Sequence, residues 1–243
     1  MELAGRVALV TGAGRRLGAA IAGGLLDRGM DLALHYHASG EGASELAALA
    51  ARHGRRAEAF AADLRDADAA RELPRRVVAS FGRLDVLVNS AAVMVRQPVA
   101  EVTPESWDAT MDLNLRAAFF CVQGALPALR KARGKIINLA DIAGFEPWPE
   151  YPVHCVSKAG VVMLTKTLAR SLAPDITVNA VAPGAVLLPD DWNESTRRHF
   201  AETTPLQRLG APSDVVRAVL YLLEGGDYVT GEVLVVDGGR LLR

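Results

Sequence analysis

The stretch Val7-Ala8-Leu9-Val10-Thr11-Gly12-Ala13-Gly14-Arg15-Arg16-Leu17-Gly18 passes from a short apolar run, through a glycine-rich turn, into a helical Ala/Leu pattern that continues to about Gly29. Glycine at such a turn permits tight backbone geometry, and N–H groups at the start of the following helix can approach a pyrophosphate. The spacing departs from G-x-G-x-x-G, so the weight rests on the predicted strand–turn–helix context. A glycine turn of purely structural use is the alternative.

The same alternation continues outward from this turn. Residues 31–36, 57–61, 84–88, 135–139, 176–181 and 233–236 read as further strands. Helical patterns fall at 41–52, 67–81, 104–130, 152–172 and 213–223. Runs such as Lys135-Ile136-Ile137-Asn138-Leu139 show almost no polar alternation, as strands buried on both faces require. The pattern predicts one doubly wound α/β domain over residues 1–243, a seven-stranded, mostly parallel sheet with helices on both faces. The charged segment 187–206, which contains Trp192, has no place in the sheet and is expected to be a substrate loop or lid; a surface insertion is the plain alternative.

Composition narrows the partners. Of 243 residues 50% are apolar, which excludes intrinsic disorder. With 27 basic and 28 acidic side chains the net charge is −1, so no nucleic-acid or anionic-membrane partner is expected. Two cysteines, Cys121 and Cys155, and five scattered histidines suggest neither a disulfide framework nor a metal site. The start Met1-Glu2-Leu3-Ala4-Gly5-Arg6 carries no secretion signature, and no uninterrupted apolar run reaches the roughly 18 residues of a membrane span. A cytoplasmic protein acting on a small molecule is the expectation.

The end of the second strand bears on which dinucleotide would bind. An acid there would accept from the ribose 2′-OH of NAD and repel a 2′-phosphate. The strand instead ends His35-Tyr36-His37-Ala38-Ser39, with Arg15 and Arg16 in the turn. Arg16, His35 and Ser39 are therefore expected to select the 2′-phosphate of NADP(H), unless the arginines are merely solvated. Asp63, in Ala62-Asp63-Leu64, could accept from an adenine amine or cap the following helix.

Taken in order, Thr11-Gly12…Gly18, Asp63, Asn89-Ser90-Ala91, Asn114, Ser157-Lys158 and Pro183-Gly184 resemble the short-chain dehydrogenase/reductase family, from Val7 to the tail Val236-Asp237-Gly238-Gly239. The resemblance implies hydride transfer with a nicotinamide dinucleotide and, commonly, a homotetramer or homodimer. It places the cofactor against Gly12, Arg15, Arg16, Leu17, Gly18, His35, Ser39, Asp63, Leu64, Asn89, Ala91, Lys158, Pro183 and Gly184. Within the family the chain is most similar to pteridine reductases, through Arg16, His35-Tyr36-His37 and Asp141, the last standing where most members have a catalytic serine. That implies a dihydropterin-like substrate. A different ketone or 3-oxoacyl substrate is the alternative, favoured by the apolar residues Val93, Met94 and Val95.

One departure from the family bears on chemistry. Its signature is Tyr-x-x-x-Lys, and four residues before Lys158 stands His154; Tyr151 lies three residues earlier still. On a helix beginning near Pro152 these three side chains share a face. Hydride delivery to C=O or C=N leaves charge on the heteroatom, which must take a proton. His154 could donate it directly, Asp141 could pass it through water, or Tyr151 could swing in. The remaining alternative is a protein that binds cofactor with little turnover. Lys158 is implied at the nicotinamide ribose, and Asn114 is implied to hold, by its backbone carbonyl, a water leading from the lysine to solvent.

Overall fold

The computed structural model of the chain describes residues 1–38, 40–188 and 193–242. Strand β1 (Val7–Val10) shows how the core is organised. Ala8 and Val10 pack into one apolar cluster with Ile21, Leu25 and Leu222, while Val7 and Leu9 face a second with Leu73, Cys121 and Leu168. Because both faces are covered, both parities of the strand are apolar, which removes the polar alternation.

The remaining strands are β2 (Asp31–Tyr36), β3 (Ala57–Ala61), β4 (Val86–Asn89), β5 (Lys135–Leu139), β6 (Thr177–Pro183) and β7 (Val233–Val236). They form a seven-stranded sheet in the order β3-β2-β1-β4-β5-β6-β7, and every pairing is parallel. Helices α1 (Arg16–Leu26), α2 (Glu41–Arg52) and α3 (Ala67–Phe81) connect the first strands. The order reverses at β1 and β4, so the crevice for a ligand opens at the carboxyl ends of these strands. Asp66, whose side chain accepts from the N–H groups of Asp68 and Ala69, caps α3. Capping is therefore not the task of Asp63.

Where one helix over 104–130 is expected, the structure has two: α4 (Pro104–Met111) and α5 (Ala117–Ala132). A single π-helical turn, Asp112–Arg116, joins them. The wide turn carries Asn114 inward, where its amide finds partners in other segments; single π turns of this kind recur at functional sites. Helix α6 (Pro152–Leu172) begins with Pro152 at its first position and runs the full length expected. The segment after β6 holds α7 (Glu194–Glu202), capped by the Asn193 side chain on the Thr196 N–H. Residues 189–192, Trp192 among them, lie outside the described residues, as does Ser39. Helix α8 (Pro212–Glu224) then leads to β7. Among the described residues no helix is long and apolar enough to cross a membrane, and none group as a metal site.

Candidate active site

The glycine turn sits at the carboxyl end of β1, and two of its glycines have no room for a side chain. Gly12 holds φ +67°, and a Cβ there would lie 3.0 Å from the Ala91 Cα. A Cβ on Gly18 would lie 2.1 Å from the Gly12 carbonyl oxygen, so α1 seats directly on the turn. Arg15, at the N-cap of α1, gives no side-chain cap, and the first turn holds no acid. The N–H groups of that turn thus remain available to an anion. Thr11 ties the turn to the next strand, its hydroxyl accepting from the N–H groups of Ser90 (2.9 Å) and Ala91 (3.0 Å).

His35 does not stand where a 2′-phosphate selector must. It is buried at the end of β2, its Nδ1 accepting from the Gly12 N–H at 3.0 Å and its Nε2 lying 3.1 Å from the Ala62 carbonyl. Burial holds the ring neutral by lowering its pKa from 6.5 to about 4. With both nitrogens committed to backbone, it braces the glycine turn instead of facing a ligand. Arg16 also departs from the expected grouping. Its backbone is left-handed at φ +53°, and its guanidinium donates to the Leu187 carbonyl at 2.7 Å. That carbonyl follows β6, four strands from β2 in the sheet order. Arg15 is exposed at the turn itself. Asp63 is bridged by Arg65 at 2.6 Å, with the His37 ring 3.8 Å away, and the Arg65 hydrogen bond pulls its pKa down to about 2. Leu64, beside it, is buried in the core.

Past β4 and β5 a line of buried amides leads toward α6. The Asn89 side chain donates to Asn138 at 2.9 Å, and Asn138 donates to the Thr165 hydroxyl at 2.9 Å. The Asn89 side-chain oxygen has no partner among the described residues, although it is buried beside a narrow cavity shared with Thr11, Leu64 and Ala91. At the end of β6, Pro183 pairs with Val236, and a Cβ on Gly184 would lie 2.8 Å from that of Asp237.

Three of the expected catalytic side chains converge at the carboxyl end of β5. Lys158 is buried on α6 and donates to the Leu139 carbonyl at 2.7 Å. Burial lowers its pKa, and the carboxylate of Asp141 works against that shift. One turn back on the same helix, His154 is 4% exposed, and its Nε2 lies 3.7 Å from Asp141 Oδ2. That separation is too long for a hydrogen bond, and Nε2 is a buried nitrogen with no partner among the described residues. Asp141 Oδ1 accepts from the Ala143 N–H at 2.9 Å, which holds the carboxyl in place. Trp148 stacks on the His154 ring at 6.3 Å between centroids, and its other neighbour, Tyr151, meets it edge-on at 6.1 Å. Cys155 points back at the Trp148 backbone and is not part of this grouping.

Asn114 belongs to the cluster in a way the sequence did not reveal. Its side chain accepts from the Val93 N–H at 2.8 Å, donates to the Val93 carbonyl at 2.9 Å and donates to the Ser157 hydroxyl at 3.0 Å. His154 Nδ1 lies 3.3 Å from the same Val93 carbonyl. Neither Val93 nor Leu187 carries a signal in sequence, because each contributes only backbone.

The residues present fit a nicotinamide dinucleotide: an uncapped helix start behind a glycine turn, a buried amide oxygen at Asn89 that is unpartnered among the described residues, and a buried lysine on α6. The class so defined is that of Rossmann-type oxidoreductases. Residues 12–240 match the family model described as enoyl-(acyl carrier protein) reductase. The chain is 37% identical over 240 residues to the 3-oxoacyl-[acyl-carrier-protein] reductase FabG of Staphylococcus aureus, covering 97% of this chain and 98% of that protein. It is 36% identical over 249 residues to 3beta-hydroxysteroid dehydrogenase 1 of Eggerthella lenta, covering 99% and 95%. Among solved structures, a blue fluorescent protein from a metagenomic library in complex with NADPH superposes with a TM-score of 0.92 at 33% identity, over 99% of both chains. A dehydrogenase/reductase from Sinorhizobium meliloti 1021 gives 0.91 at 36% identity, over 98% of this chain and 97% of that one. The protein belongs to the short-chain dehydrogenase/reductase family and is an oxidoreductase.

Proposed function

We propose that the protein is an NADP(H)-dependent reductase of a small carbonyl substrate, with His154 giving the proton and Asp141 serving it. The observation that carries this reading is the Nε2 of a buried histidine, unpartnered among the described residues, 3.7 Å from a carboxylate and one helical turn from Lys158. A buried polar atom without a partner costs stability, so its persistence beside a carboxylate is what a proton-handling role would explain.

When bound, the dinucleotide supplies the hydride. The first turn of α1 would hold the pyrophosphate, and Lys158 would hold the nicotinamide ribose and add positive potential beside it. Arg15, exposed at the turn, would be the arginine to meet a 2′-phosphate, and the negative charge of Asp63, matched by Arg65, would not oppose it. Asp141 is 24% exposed and lies 3.7 Å from the ring, so it can stabilise the charged ring and pass the incoming proton from solvent. Arg16, through Leu187, would join the cofactor turn to a substrate lid over residues 187–206. Family likeness supports an assembly of two or four chains.

A ketone substrate is favoured by the exposed apolar side chains Met94, Val95 and Phe145 near the site. The 93–97 segment is tied to the start of α6 by the Gln97 N–H on the Glu150 carbonyl and by the Arg96–Glu150 ion pair. The named relatives, a 3-oxoacyl reductase and a hydroxysteroid dehydrogenase, point the same way. A dihydropterin is the second reading, favoured by Asp141, whose Oδ2 makes no hydrogen bond among the described residues and could accept from a pterin N–H edge. NADPH oxidation with a 3-oxoacyl thioester, a steroid ketone and a dihydropteridine tests both. Turnover of a ketone that is lost in His154→Phe is expected. Undiminished turnover in that variant would remove His154 from the reaction.

A further inference from the structure

We infer that Asn114 is a positioning residue for His154: by clamping the Val93 peptide it holds the neutral ring in the Nδ1–H tautomer, leaving Nε2 bare on the Asp141 side. The inference rests on the reading that His154 handles the proton, but its geometry stands apart from that reading.

Asn114 meets Val93 as a neighbouring strand would, accepting its N–H at 2.8 Å and donating to its carbonyl at 2.9 Å. Its second amide hydrogen goes to Ser157, at 3.0 Å, and Ser157 in turn donates to the His154 carbonyl at 2.7 Å. The Asn114 side chain is therefore fixed at both ends, and with it the direction of the Val93 carbonyl. That carbonyl lies 3.3 Å from Nδ1 and can only accept, so Nδ1 carries the hydrogen. Which ring nitrogen is protonated is set by the bond the other makes, and here a backbone carbonyl takes the place that a carboxylate holds in a Ser-His-Asp triad. Trp148 lies nearly parallel to the ring, 6.3 Å away between centroids.

The consequence for the proton follows directly. Nε2 takes a proton from solvent on the Asp141 side and becomes cationic while Nδ1 keeps its own. The carbonyl carbon of the substrate gains a hydride from the reduced dinucleotide, the C=O π pair becomes an O–H bond, and Nε2 gives up the proton. The ring returns to neutral with its hydrogen still on Nδ1, ready for the next turn. The charged and titratable groups nearest the ring are Asp141, 3.7 Å from Nε2, and Lys158 one turn along α6; Tyr151 stands beyond Trp148, which it meets edge-on.

Nitrogen-15 NMR of the histidine rings in the whole protein reads the tautomer without any substrate. The neutral His154 ring should show a protonated Nδ1 and a bare Nε2. A protonated Nε2 in the neutral ring would overturn the inference. In Asn114→Leu the same spectrum should shift toward a mixture, and kcat should fall at least about tenfold with an altered pH profile while the NADPH dissociation constant stays put. An unchanged ring spectrum in Asn114→Leu would also overturn it. Full activity of His154→Phe, by contrast, would remove the proton role and leave the tautomer measurement intact.

Discussion

His35 accepts the Gly12 N–H on Nδ1 at 3.0 Å, so the end of β2 holds the glycine turn of β1 through a side chain that must be neutral to do so. Its pKa falls from 6.5 to about 4 on folding, with burial as the main cause. A histidine with a depressed folded value contributes stability that is complete above its unfolded pKa and is lost as the pH falls through the folded one. The shift corresponds to roughly 3 kcal/mol. Thermal melts of the apoprotein should therefore lose stability between about pH 6.5 and 4, and His35→Asn should flatten that dependence. NADPH binding should weaken over the same range, since a protonated Nδ1 releases the turn.

Lys158 gives the second prediction. It is a buried ammonium whose pKa burial lowers, held by the Leu139 carbonyl. Lys158→Met keeps the stem and removes the charge, so the desolvation cost disappears with it. Turnover should fall by roughly a hundredfold or more, while the melting temperature of the apoprotein stays level or rises. A large drop in melting temperature would mean that the lysine is structural.

The two turn arginines should separate cleanly. Arg16 donates to Leu187 beyond β6, whereas Arg15 stands exposed at the turn. Arg15→Ala is expected to lower the preference for NADPH over NADH by about tenfold, the value of one charge-assisted contact. Arg16→Ala should weaken both dinucleotides alike and raise the KM for substrate. Titration of each variant with both cofactors decides the matter.

Thr165 is fully buried on α6 and closes the amide line from Asn89 through Asn138. Thr165→Val keeps the shape and strands the Asn138 amide, a loss of about 1–3 kcal/mol by denaturant unfolding. If the line also sets the height of α6, kcat should fall with it while NADPH binding holds.

Much of this architecture could be read in the chain. Strands buried on both faces write themselves as apolar runs, and α2, α3 and α6 end where their patterns end. What escaped depends on contacts made across the fold. The π turn at Asn114 follows from partners at Val93 and Ser157, which no local periodicity encodes. His35 was legible as a polar residue at a strand end, but its partners are backbone groups of two other segments, and Arg16 reaches a carbonyl 171 positions away. Helix α7 did carry a local signal, Asn193 followed by Glu194, although its charged composition hid it among loop residues.

The amide line between the sheet and α6 has one further consequence. Packing alone lets a helix slide or rotate slightly over an apolar surface, because methyl groups accept many neighbours. Directed bonds do not. By keying α6 to β4 and β5 inside the core, Asn89, Asn138 and Thr165 give the face bearing His154 and Lys158 a position independent of the loops above it. Those loops are then free to diverge among descendants, exchanging one substrate for another, without disturbing the machinery beneath.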